Sequence, residues 1–351
     1  MIRLLESRSP VKETKLTEEL RILLNDDPEL FENTADKINL LASYTQSCRH
    51  RVSGRRFSVP LSELAENLEH KADWLTGYLK DHEWIDGGAD EGWFNSYYDN
   101  HGRAVEGFFP NEVRMILTGQ VFAIMGNVAS EQQIRKIVNS ADHYLYQKEI
   151  GGYRLNTDFH ELKFDMGRMF GFAYGEKENG AVFSHMTVMY ANALYRRGFA
   201  KEGWKALKTL AETAWILTPA VVYPGIPEYF RSDGRGMYHY LTGAASWFMM
   251  TMITQVFGVR GEAGDLILAP RLMAEQFDDQ GKASVSLVFA GKKLDVIYEN
   301  PDRKDSGAYK VSSSFCEGQK LQTDKLGRAV LPRRMLDTLS GGRHRIIVKL
   351  N

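Results

Sequence analysis

Apolar residues recur at spacings of three and four through most of this chain, then switch to every second position after Gly264. That change of period constrains the fold most strongly, because a helix presents one face every 3.6 residues and a strand every two. Helices are predicted over Leu16–Leu24, Ala35–Val52, Pro60–Trp84, Pro110–Met125, Ser130–Lys148, His185–Arg197, Ala200–Thr213 and Gly243–Phe257. Ser130 with Gln133 three residues on is a capping box, and Gly198 suits a C-terminal cap. Strands are predicted at Asp265–Pro270, Ala283–Phe289, Lys293–Tyr298, Ala308–Ser313 and His344–Leu350. Turn signals at Gly281, Gly291, Asn300-Pro301 and Gly341-Gly342 separate them. The chain therefore reads as mainly α with a β tail. A helical portion fills residues 1–263, and a small antiparallel β-sandwich fills 264–351.

Long loops rich in Gly, Tyr, Phe and Asp interrupt the helices at 86–109, 151–183 and 217–240. Loops of such length in a compact domain usually carry function. Helix hairpins with short links at one end and long loops at the other predict part of an (α/α)6 toroid, with the site at the long-loop end.

Lys and Arg number 44 against 45 Asp and Glu, so the net charge of −1 gives no basis for a nucleic-acid or anionic-lipid partner. Cys48 and Cys316 lie in segments assigned to different domains and have no neighbouring metal ligands. They read as free thiols in a reducing compartment. The first twenty residues carry charges throughout, unlike a secretory signal. The apolar run at 244–257 is too short and too interrupted to span a bilayer. A cytoplasmic protein without membrane partners is the expectation.

Two segments carry candidate chemistry. Asn179-Gly180-Ala181-Val182-Phe183-Ser184-His185 puts one histidine at a helix start. Leu241-Thr242-Gly243-Ala244-Ala245-Ser246-Trp247 opens an apolar helix on a Thr-Gly pair. A helix N-terminus with a hydroxyl cap and a glycine admits an anion close to free amides. Each part also has a plainer reading: His185 as a half-buried helix-start histidine, and Thr242-Gly243 as a cap that binds nothing. Glu178 suits either a sugar hydroxyl or a solvated turn. Tyr238, His239 and Tyr240 suit a sugar pocket or packing. Arg235 suits an added cation or a surface position in a Gly-rich loop.

These segments belong to an ordered set: Gly92-Trp93-Phe94 with Tyr97-Tyr98-Asp99, Glu178 to His185, Tyr223-Pro224, Gly234-Arg235-Gly236, Leu241 to Trp247, and Phe257-Gly258-Val259-Arg260, with Tyr298-Glu299-Asn300-Pro301 in the tail. In order and spacing the set resembles the C-terminal part of the catalytic module of glycoside hydrolase family 94, the cellobiose and chitobiose phosphorylases, including the phosphorylase modules of cyclic β-1,2-glucan synthases. The resemblance implies an (α/α)6 barrel followed by a short β domain. It implies a glycosyltransferase-type phosphorylase that inverts a β-glucosidic di- or oligosaccharide to an α-sugar 1-phosphate. Inorganic phosphate is the co-substrate, and no organic cofactor or metal is needed. His185, Thr242 and Gly243 match the family's phosphate-binding positions.

The chemistry is consistent with these assignments. An inverting hydrolase needs an acid and a base. A phosphorylase needs only the acid, because phosphate arrives as an anion that cations, donors and a helix N-terminus can hold. The family's acid lies in an Asp-Trp-Asn-Asp stretch upstream, which this chain lacks. Asp26 or Asp27 falls nearest by spacing, and Asp27 is the weak catalytic candidate. About eight helices precede the strands where a closed toroid needs twelve, so the expectation is an incomplete module lacking the N-terminal half of its barrel, through a separate partner chain, truncation of a longer gene product, or association of a second copy. The alternatives are a non-catalytic carbohydrate- or partner-binding remnant, and an (α/α)6 hydrolase using Asp158, Asp165 or Glu228.

Overall fold

The computed structural model describes residues 2–215, 219–239 and 242–351. Tyr240 and Leu241, named above, lie outside the described residues. The chain forms two compact units, Met1–Glu83 and Trp84–Asn351. The division expected between residues 263 and 264 falls inside the second of these.

The first unit contains α1 (Ile2–Arg8), β1 (Glu13–Thr17), α2 (Pro28–Glu32), α3 (Thr34–Cys48), β2 (Arg56–Pro60) and α4 (Leu61–His82). The helix expected over Leu16–Leu24 is not there. Glu13–Thr17 pairs antiparallel with Arg56–Pro60, setting Leu16 opposite Phe57, and Glu18–Leu24 coils as a 3-10 segment. Two β-branched threonines in five residues and a distant apolar partner outweigh the short helical pattern. Asn33 starts α3 by accepting from the amides of Ala35 and Asp36.

In the second unit the long loops fold into small ribbons: β3 (Trp84–Asp86) with β4 (Gly92–Phe94), β5 (Gly107–Phe109) with β6 (Glu112–Arg114), and β7 (Tyr146–Gln147) with β8 (Gly152–Tyr153). A third strand group joins β9 (Val182–Phe183), β10 (Tyr229–Phe230) and β11 (Gly236–Met237) in the order β11-β10-β9. Two ribbons correct the predicted helices. The β5–β6 hairpin delays α5 to Leu117–Met125, and α6 (Glu131–Tyr144) stops where Tyr146–Gln147 turns back onto Gly152–Tyr153. The capping box of Ser130 and Gln133 is formed. Gly198 takes φ +87°, the left-handed state that ends α7 (Ser184–Arg196), and the Phe199 amide closes onto the Leu194 carbonyl at 2.9 Å.

α8 (Ala200–Trp215) returns antiparallel along α7, and α9 (Gly243–Thr251) packs on α7 from another side. The helix expected through Phe257 is α-helical only to Thr251 and continues as a π-helix over Met252–Val256. Hydrogen bonds fix the directions of these helices. The amide of Leu117 donates to Leu155, whose own amide donates to Ala181, so α5 and α7 start side by side. Near their far ends Arg197 donates to the carbonyls of Ile124 and Ala129. Asn192 donates to Thr251 at 3.1 Å, while His185 meets Gly243 at the other end. Helices α5, α7 and α9 therefore run parallel, and their N-termini gather where the long loops lie. Tyr190, Ala191, Leu194 and Tyr195 of α7 are all fully buried.

The remaining strands are β12 (Val259–Glu262), β13 (Asp265–Leu268), β14 (Lys282–Phe289), β15 (Lys292–Glu299), β16 (Val311–Cys316), β17 (Gln319–Lys320), β18 (Gln322–Thr323), β19 (Ala329–Leu331) and β20 (Arg343–Leu350), with α10 (Arg333–Thr338) before the last. They form sheets in the orders β12-β13-β19-β18 and β14-β15-β20-β16-β17. Alternation was a sound guide: Leu294, Val296 and Tyr298 are buried on β15, and Ile346, Val348 and Leu350 on β20. The expectation of a wholly antiparallel tail is corrected, since β15 and β20 run parallel. The long connection that contains β16 to β19 permits that crossover. Among the described residues no helix is long and apolar enough to cross a membrane, and both cysteines are free.

Candidate functional site

The site grows from the start of α7. Strand β9 pairs with β10, setting Phe183 opposite Tyr229. The Ser184 amide then donates to the Glu228 carbonyl at 2.9 Å. This fixes the direction in which α7 leaves the sheet, with His185 in its first turn. Gly180, at φ +72°, makes the turn before β9, and a Cβ there would come within 2.1 Å of the Tyr174 ring. A second layer locks the same turn. Asn156 donates to Asn179 and accepts from the Gly180 amide, at 3.1 and 2.8 Å. The guanidinium of Arg154 donates to the Gly180 carbonyl at 2.5 Å, to Gln147 at 3.0 Å and to Ser232 at 3.3 Å. Burial lowers the pKa of that guanidinium below its ordinary value.

Thr242 caps α9, and its hydroxyl oxygen accepts from the Ala244 amide at 3.1 Å. The imidazole of His185 lies directly against Gly243: a Cβ built there would stand 2.9 Å from Cε1 and 3.0 Å from Nδ1. The Trp247 ring, one turn along α9, packs at 5.5 Å from the imidazole. The His185 Nε2 is shielded from solvent and has no hydrogen-bond partner among the described residues. Burial lowers its pKa, favouring the neutral ring. Gly243 was expected to admit a ligand to the backbone. In the structure its missing Cβ makes room for the histidine.

The other predicted residues divide. Glu178 sits on the turn before β9, 3.5 Å from Arg168, with its Oε2 shielded and unpartnered among the described residues. Tyr238 adopts φ +53° and packs beside Tyr229 at 6.0 Å. Arg235 and His239 are exposed; the Arg235 amide donates to Asp233 at 3.1 Å, and its carbonyl accepts from the Arg231 amide at 3.0 Å. Asp27 belongs to the first unit, where its carboxylate caps α2 by accepting from the Glu29 amide at 3.0 Å. Of the hydrolase candidates, Asp165 pairs with Arg103 and Lys163, Asp158 pairs with His160, and the backbone of Glu228 bonds to Ser184, Met237 and Tyr238.

Three groups escaped the sequence reading. Lys177, at φ +48°, holds its ammonium 5.2 Å from the Phe172 ring and 5.0 Å from Tyr238. A lysine in the left-handed region two residues before Asn179 was a visible signal only through its place in the Glu-Lys-Glu-Asn-Gly turn. Glu176 accepts from the Tyr229 hydroxyl at 3.2 Å and pairs with Arg231 at 2.8 Å. Burial, reinforced by this carboxylate, pushes the Tyr229 hydroxyl up to about 12. Glu106 is buried at the start of α5 and accepts from the amides of Ser96 and Ile116, each at 2.7 Å. Among the described residues no group of three or more His, Cys, Asp or Glu side chains converges as metal ligands do.

The arrangement suits an anion. It offers a shielded ring nitrogen beside a capped helix N-terminus.

The chain is 25% identical over 225 residues to a cellobionic acid phosphorylase of Neurospora crassa, covering 60% of this chain and 27% of that protein. It is 23% identical over 232 residues to a 3-O-beta-D-glucopyranosyl-beta-D-glucuronide phosphorylase of Paenibacillus borealis, covering 64% and 29%. It is 23% identical over 241 residues to an N,N'-diacetylchitobiose phosphorylase of Vibrio proteolyticus, covering 66% and 29%. The chain thus spans less than a third of the length of these relatives. Residues 60–258 match the family model described as "Glycosyl hydrolase 94 superfamily, catalytic domain", and the chain belongs to that family.

Proposed function

We propose that this chain supplies the phosphate-holding side of an inverting phosphorolysis. A β-linked glucosidic di- or oligosaccharide and inorganic phosphate would give an α-sugar 1-phosphate. A phosphate oxygen forms the new bond to the anomeric carbon as the glycosidic C–O bond breaks, and an acid returns a proton to the departing oxygen. The observation that carries this reading is the contact of the His185 imidazole with Gly243 at the N-terminus of α9. The hydroxyl of Thr242 accepts from Ala244, so its own proton is free to turn toward phosphate, together with the first amides of the helix. Glu178, Lys177 and Tyr238 are assigned to the sugar. Arg235 and His239 are assigned to the rim.

The parallel α5, α7 and α9, with α6 and α8 returning between them, are what one arc of an (α/α)6 toroid requires. We assign the rest of the ring, and with it a cytoplasmic assembly, to a partner chain or a second copy. The general acid is Asp27 or a residue of that partner. The capping role of Asp27 favours the partner and also supports a second reading, a carbohydrate-binding remnant without turnover.

Two measurements decide. Incubation with cellobiose, laminaribiose or N,N'-diacetylchitobiose plus phosphate tests for sugar 1-phosphate. Calorimetry tests phosphate binding, which His185→Ala should abolish. Phosphate binding indifferent to His185→Ala would refute the assignment, and sugar binding without any phosphate response would favour the remnant.

A further inference from the structure

A separate concave site lies between α6, α8 and the turn at 273–275, in a cleft of about 770 Å³. None of His185, Thr242 or Gly243 lines it. Its volume is that of a small-molecule site. At the floor, Asp142 accepts from the Tyr153 hydroxyl at 2.6 Å and from the Lys205 ammonium at 2.8 Å. The same ammonium stands 4.0 Å above the Tyr146 ring. Behind the floor Tyr190 packs edge-on against Tyr153. Its hydroxyl is fully buried, has no hydrogen-bond partner among the described residues, and lies in the field of the lining carboxylates Asp142 and Glu202.

The wall is aromatic and fixed. The Trp204 indole N–H donates to one oxygen of Glu275, whose other oxygen takes the Lys208 ammonium at 2.6 Å. That double engagement ties the indole to the turn at 273–275.

The charges select a ligand class. Four lysines (148, 201, 205 and 208) line the cleft with five carboxylates (142, 202, 212, 275 and 305). Such a balance leaves little net field, so neither a polyanion nor a polycation gains from entering. What remains is a row of donor–acceptor pairs beside an oriented aromatic face. A pyranose meets both demands, with C–H groups for the ring and hydroxyls for the pairs.

We propose that this cleft is a second carbohydrate site, which holds a neutral oligoglucoside away from the phosphate floor. The choice of a glucoside rests on the phosphorolytic reading, whereas the preference for a neutral polyol rests on the cleft alone.

The test is calorimetry of the full chain with cellotetraose and, separately, with inorganic phosphate. Cellotetraose should bind the wild type and His185→Ala alike, and about tenfold or more weakly to Trp204→Ala. Lys205→Met removes a hydroxyl partner but keeps the aliphatic stem. It should weaken binding in the same direction, and it carries the test should Trp204→Ala lower the melting temperature. Absence of cellotetraose binding, or binding untouched by both cleft variants, overturns the proposal. Loss of cellotetraose binding in His185→Ala also overturns it, because the sugar would then occupy the other site. The two readings fail separately. Phosphate binding without cellotetraose binding sinks the cleft alone, and cellotetraose binding at the cleft without any phosphate response sinks phosphorolysis alone.

Discussion

Gly243→Ala separates the stability of α9 from the chemistry assigned to it. The glycine has an ordinary backbone conformation with no positive φ, so alanine meets no backbone strain. Inside a helix alanine is favoured over glycine by up to about 1 kcal/mol. The new methyl group would, however, stand 2.9 Å from Cε1 and 3.0 Å from Nδ1 of His185. Carbon contacts settle near 3.5–4.0 Å, so the ring must retreat by roughly 0.5–1 Å. Trp247 packs 5.5 Å away and limits where it can go. Stability should thus change by no more than about 1 kcal/mol in either direction, a melting shift of roughly 2–4 °C for a domain of this size. A hydrogen bond to a charged group is worth about 1.5–3 kcal/mol, so losing its alignment should weaken phosphate binding about tenfold to a hundredfold. Scanning calorimetry reads the first quantity and titration calorimetry the second. Unchanged phosphate affinity would refute the convergence of imidazole and helix terminus on one anion. A melting temperature lowered well beyond that range would show that Gly243 serves the fold instead.

Other outcomes follow from the same contacts. Burial holds His185 below its ordinary pKa of 6.5, so the unfolded chain takes up a proton before the folded one as the pH falls. The melting temperature of the wild type should therefore drop, relative to His185→Asn, between pH 7 and 5; a pH-independent difference would remove the burial argument. Arg154→Met deletes three hydrogen bonds around Gly180 and should cost about 2–4 kcal/mol in urea denaturation. A neutral result would mean that the cost of burying the guanidinium cancels those bonds. Ser130→Ala removes half of the capping box on α6 and should cost about 1 kcal/mol by the same measurement.

Local chemistry was the legible part of this chain. Ser130 with Gln133, Gly198 and Thr242 were each readable because a cap is satisfied within a few residues of itself. The alternation of β14, β15 and β20 was readable because one face of each is buried. What depended on distant partners was not. Leu16 became a strand residue because Phe57 lies opposite it, and β15 runs parallel to β20 because the chain between them crosses over. Period alone identifies neither partner.

The same division runs through the candidate site. His185 and Thr242 could be picked out because each begins a helix. Lys177 and Arg154 could not, because what distinguishes them is a ring or a carbonyl supplied by another loop. Gly243 falls between the two. Its place after a cap was local, but its contact with an imidazole 58 positions earlier requires α7 and α9 to start at the same end. Two helices joined by a short link would run antiparallel, which sets their starts at opposite ends. Here α8 returns the chain along α7, so α9 can begin again beside His185. A site made of two helix N-termini therefore needs a third helix between them in sequence. That requirement is why the loops before α7 and α9 and the first turns they lead into, rather than the short links after α5 and α7, hold the residues assigned to phosphate and sugar.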